Sequence, residues 1–197
     1  WETGAGVVST PLLPDESPIS AVVINGNGKT LTLNQKNSDW SSFGLANAAA
    51  KVVFNNMIIE KTGYGDTSGA WNTHTIIFSS KVEMKDVTVN NSMAVQNGAT
   101  LNNVTINEAN GYYGLWINGN GQSVTMNGGS INATNGGRGI KIADQYIDAP
   151  ASVTLSVTGT EFNTAKKMAK FFDKLNSQDK LTKTIIYNLN PCANEVI

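Results

Sequence analysis

The sequence predicts an all-β chain wound as a β-solenoid of about five to six coils, and three observations carry that prediction. A phrase is repeated: Ile24-Asn25-Gly26-Asn27-Gly28 followed by Leu31-Thr32-Leu33-Asn34 returns as Ile117-Asn118-Gly119-Asn120-Gly121 followed by Val124-Thr125-Met126-Asn127. A shorter pattern, apolar-x-Asx/Gly-x-x-apolar, recurs at Phe54–Ile59, Met84–Val89, Leu101–Ile106, Met126–Ile131 and Val157–Phe162, closing at intervals of 17 to 31 residues. An apolar pair also brackets a variable residue in Ile76-Ile77-Phe78, Met93-Ala94-Val95, Leu115-Trp116-Ile117 and Ile140-Lys141-Ile142. An irregular repeat of this length, with β-type strands and no helical periodicity between them, belongs to a solenoid whose turns differ in loop length.

Taken in order, residues 1–20 hold Pro11, Pro14 and Pro18 without periodicity and read as an irregular lead-in. The coils are expected over 21–163, and five or six at the strand spacing of about 4.8 Å make a stub about 25 to 30 Å long. Period-two geometry turns the bracketing residues of each triplet inward and stacks Ile77, Ala94, Trp116 and Lys141 on one outer face. Asn56, Asp86 and Asn103 fall at coil corners, where a short polar side chain tolerates left-handed backbone and can bond the next coil. Residues 164–197 form a cap and tail. Thr164 can cap a helix carrying Ala165, Met168, Phe172 and Leu175 on one side, so 164–176 reads either as a helical lid or as one more strand. Lys183–Leu189 alternates as a last strand.

Composition narrows the function. Only 15% of residues are charged, 14 basic against 15 acidic, so the net charge of -1 gives no field to draw in nucleic acid. No run approaches the roughly 18 apolar residues of a membrane span, so no membrane insertion is expected. The lone cysteine, Cys192, excludes an internal disulfide framework and a cysteine zinc site. Because the chain opens at Trp1, it reads as an excised or processed piece whose targeting signal, if there was one, is gone.

At the repeats, and at Gly137-Arg138-Gly139-Ile140-Lys141-Ile142-Ala143-Asp144-Gln145-Tyr146 followed by Asp148-Ala149-Pro150-Ala151, the chain resembles right-handed parallel β-helix proteins of the pectate-lyase-like superfamily. More narrowly it is similar to secreted or surface β-helix proteins of gut bacteria. The resemblance implies fold far more than function, since that superfamily hosts lyases, hydrolases, adhesins and tailspikes. Its hydrolases carry an Asp-Asp pair and Gly-His-Gly. Here no Asp-Asp occurs, and the only histidine, His74, sits in Asn72-Thr73-His74-Thr75. A lyase would use Arg138 or Lys141 as base with Asp144 and Asp148. Two acids make a thin Ca²⁺ site, where six to eight oxygens are wanted. No cofactor is expected, with Ca²⁺ the one metal the resemblance allows.

The candidate ligand-binding residues are Tyr112, Tyr113, Trp116, Arg138, Lys141 and His74. Outward aromatics can stack on sugar rings while the cations bond hydroxyls or a carboxylate. Against this, the tyrosines can simply pack in a loop and Trp116 can be covered. The expected function is a secreted or cell-surface module, non-catalytic, binding polysaccharide or surface glycan or serving as an adhesin or stalk. The alternatives are a polysaccharide lyase or glycoside hydrolase (catalytic Arg138, Lys141, Asp144) and a structural fibre segment.

Overall fold

The computed structural model describes residues 20–34, 42–43, 50–62, 75–118, 121–142, 151–166 and 181–188. Among them the chain forms fourteen strands: β1 (Ala21–Asn34), β2 (Ser42–Phe43), β3 (Lys51–Thr62), β4 (Thr75–Phe78), β5 (Lys81–Asn90), β6 (Ser92–Val95), β7 (Ala99–Asn102), β8 (Thr105–Glu108), β9 (Tyr113–Ile117), β10 (Gln122–Asn127), β11 (Ser130–Ile142), β12 (Ala151–Thr158), β13 (Glu161–Lys166) and β14 (Leu181–Asn188). Every pairing is parallel and joins a strand to its counterpart in the coil above or below. The protein is thus an all-β parallel solenoid, as the sequence predicts, its coil count differing slightly from the five to six expected. The described residues contain no helix, and Thr164 to Lys166 close strand β13 instead of opening one. The remainder of 164–176 lies outside the described residues.

The repeated motif sets the register. Phe54, Met84, Leu101, Met126 and Val157 stack as one inward column. Ile59, Val89, Ile106, Ile131 and Phe162 stack as another, five residues further along each coil. Between the columns each coil turns on a left-handed residue: Asn56 (φ 49°), Asp86 (φ 55°), Asn103 (φ 53°), Gly128 (φ 67°, followed by Gly129 at 75°) and Gly159 (φ 65°). Asn and Asp reach this region more readily than other residues with a Cβ, and Gly reaches it without strain. The corner side chains also link coils, as Asn103 Nδ2 donates to Asp86 Oδ1 at 2.7 Å. A longer ladder runs down the same flank. Asn107 donates to Asn90 at 2.9 Å, Asn132 to Asn107 at 2.8 Å and Asn163 to Asn132 at 2.8 Å. Asn90 and Asn132, which begin Asn-x-Ser/Thr sequences, are therefore rungs of the stack.

Alternation along each strand fills the interior. The core joins Val52, Phe54, Phe78, Met84, Met93, Leu101, Leu115, Met126 and Leu155, with Leu31 and Leu33 of the first coil partly buried against it. Phe54 meets Phe78 edge to face, ring centroids 5.8 Å apart, tying two faces of one coil together. The triplets align as their spacing predicts: Ile77 pairs with Ala94, Ala94 with Trp116 and Trp116 with Lys141.

Glycine is required at position 129. Its φ is 75°, and a Cβ there would stand 2.1 Å from the carbonyl oxygen of Val104 in the adjacent coil. Gly28 has the same φ with nothing within 4 Å of the added atom. In urea unfolding, Gly129→Ala is expected to cost at least about 2 kcal/mol more than Gly28→Ala, the excess being the displaced backbone contact rather than the dihedral.

Candidate functional site

The third face turns through a tight corner before each triplet. At that corner Gly114 is buried beneath Tyr113, and a Cβ on it would stand 2.3 Å from Cγ2 of Ile131. Gly139 occupies the same place one coil on, its missing Cβ 3.0 Å from the ring of Phe162. Residues 139 and 140 are both buried, so the in-out alternation of β11 breaks there and Arg138 and Lys141 both emerge on the outer side of the bend. Arg138 pairs with Tyr113 and Lys141 with Trp116.

Four of the candidate residues therefore meet. The Arg138 guanidinium lies 5.5 Å from the centroid of the Tyr113 ring, and its Nη1 donates to the Tyr113 hydroxyl at 3.4 Å. Lys141 Nζ sits 4.9 Å from the same centroid and 4.3 Å from that of Trp116. The negative face of an aromatic ring attracts such cations. Burial, and then the neighbouring charge of Arg138, holds the Lys141 ammonium below the usual lysine range. Tyr112 acts through its backbone: its carbonyl accepts from the amide of Arg138 at 2.8 Å and its amide donates to Glu108 at 2.9 Å. His74, Asp144 and Asp148 lie outside the described residues.

Trp116 corrects an expectation. It points away from the main core as predicted, yet it is 2% exposed and forms a separate apolar cluster with Ile77 and Ala94. A side chain covered in this way offers no open platform for a sugar ring. The period-two pattern fixes which side of the strand a residue takes, and it carries no information about what lies over that side.

Three further polar residues escaped the sequence reading, and all obey one signal. Lys61 follows Met57 and Ile59, Glu108 follows Ile106, and Gln122 precedes Val124 and Met126, each in the inward parity of its strand. Glu108 accepts from the amides of Asn110 and Tyr112, which pins the loop leading to Tyr113. Burial pushes its carboxyl above the usual range, and the backbone N–H groups of Asn110, Tyr112 and Gly111 oppose that rise. Gln122 Oε1 accepts from the Gly98 amide at 3.2 Å, while its Nε2 has no hydrogen-bond partner. Lys61 Nζ donates to the Thr75 carbonyl at 3.4 Å, and burial lowers its pKa to about 8. Among the described residues no group of three or more His, Cys, Asp or Glu converges as a metal site.

Comparison with known proteins brings in a different chemistry. A stretch of 37 residues is 78% identical to the uronate isomerase of Phocaeicola vulgatus and, equally, to that of Bacteroides fragilis. Over the same length it is 76% identical to the uronate isomerase of Bacteroides thetaiotaomicron. The stretch is 19% of this chain, and the chain spans only 8% of the length of these relatives. No protein-family profile matches the chain, so the pectate-lyase-like placement gains no support there. No solved structure matches it either. The relatives are metabolic enzymes, and this overturns the expectation of a non-catalytic carbohydrate-binding, adhesin or stalk module. They are isomerases, a different kind from the lyase and hydrolase alternatives.

Two outcomes test the site's physical description. Trp116→Ala empties a buried position and is expected to cost about 3 to 5 kcal/mol in chemical unfolding. Lys61, with its folded pKa lowered, contributes stability that is fully present above its unfolded value of 10.5 and is lost as pH falls through about 8. The unfolding free energy of the protein relative to Lys61→Met should therefore rise by roughly 3 kcal/mol across that window in a pH series.

Proposed function

We propose that this chain works on uronates as part of an isomerase-type enzyme. The observation that supports the reading is the 37-residue stretch with 78% identity to two uronate isomerases. Coil repeats converge on similar compositions, but composition does not produce identity at that level, and common descent of the segment does. Isomerisation of a sugar acid shifts a proton between neighbouring carbons and needs a general base and a general acid within reach of the substrate. The shared stretch equals 8% of a relative's length, so the acid and base of this reading are to be sought across the whole of this chain. The right-handed, pectate-lyase-like character of the coils belongs to this reading too, resting on the repeats and on residues 137–151.

The test is incubation of the chain with D-glucuronate and D-galacturonate in D₂O, followed by NMR. Conversion of either sugar acid, or uptake of deuterium at the carbon next to its carbonyl, is the expected result, with D-glucose inert. Absence of both conversion and exchange would overturn the reading.

A further inference from the structure

We propose that the corner holding Arg138 and Lys141 is a binding site for the carboxylate of a small acid such as a free uronate. Geometry assigns the anion site, whereas the choice of a sugar acid rests on the uronate reading above. Two cations emerge on the same side of the Gly139 bend and share the Tyr113 ring, at 5.5 Å and 4.9 Å from its centroid. Like charges brought together in a half-buried corner repel, and the fold holds them there. Ring faces attract the cations without neutralising them.

No carboxylate among the described residues pairs with either cation. The ion pair found among those residues is Lys51 with Glu83, at 2.9 Å. Glu108 is near in space, since its Oε2 lies 2.8 Å from where a Cβ on Gly137 would stand. Its oxygens nevertheless accept from the amides of Asn110 and Tyr112 beneath the loop. A bound carboxylate supplies the counter-charge that the described residues do not. A guanidinium offers parallel N–H donors to its two oxygens, and an ammonium adds a point charge beside them. The ammonium of Lys141, held low by burial and by Arg138, regains its ordinary proton affinity when that anion arrives. Backbone pairing sets residue 166 next to Arg138 in the following coil.

The experiment is calorimetric titration of the protein with D-glucuronate, D-glucose and sodium sulfate, repeated with Arg138→Gln and Lys141→Gln after circular dichroism confirms that both fold. Glucuronate should bind, glucose should not, and each variant should weaken glucuronate by about tenfold or more. Failure of glucuronate to bind the unaltered protein, or equal binding by both folded variants, would overturn the site. Sulfate binding as well as glucuronate would overturn its assignment to carboxylates. Deuterium exchange separates this inference from the proposed function. Binding without exchange sinks the function and supports the site, whereas exchange with binding indifferent to both substitutions sinks the site and supports the function.

Discussion

Everything in this solenoid depends on one backbone constraint, the left-handed residue that turns each coil between its first two inward columns. Asn56, Asp86, Asn103, Gly128 and Gly159 occupy that corner in successive coils. Because each coil bends at the same place, its strands arrive in register with those of its neighbours, and the backbone hydrogen bonds and apolar columns follow. A one-residue slip at such a corner would send every inward side chain of the next strand outward. Coil stacking therefore converts a local dihedral preference into long-range order.

The same constraint explains which parts of the molecule were legible in the sequence. The columns from Phe54 to Val157 and from Ile59 to Phe162, and the outer row Ile77, Ala94, Trp116 and Lys141, follow from motif spacing and period two. Burial of the Trp116 ring was illegible because it depends on what lies over the face, which is tertiary information. Lys61 and Glu108 were legible in principle, since they stand in inward parity, but the apolar motif of each coil closes before them at Ile59 and Ile106. The convergence of Arg138 and Lys141 needed the Gly139 bend, for unbroken alternation sends residues three apart to opposite faces.

The fold and the proposed function rest on different observations. Solenoid coils select residues for corners, columns and ladders, and those demands are met by many sequences with unrelated roles. The likeness to uronate isomerases over 37 residues does not follow from the repeat pattern. The proposed acid-binding corner stands between the two. It is built from solenoid geometry, and its chemistry suits the kind of molecule named by the shared segment.

The asparagine ladder along the flank has a direction. From Asn163 through Asn132 and Asn107 to Asn90, every amide donates toward the coil that precedes it. Aligned side-chain dipoles reinforce one another, so the row behaves as a single polarised chain. The row has two unlike ends within the stack: Asn90 stands beside Glu60 of the preceding coil, whose carboxylate accepts from Thr32 of the first coil, while Asn163 ends the row with its carbonyl oxygen. A row of identical side chains thus gives an otherwise repetitive molecule a sense of direction.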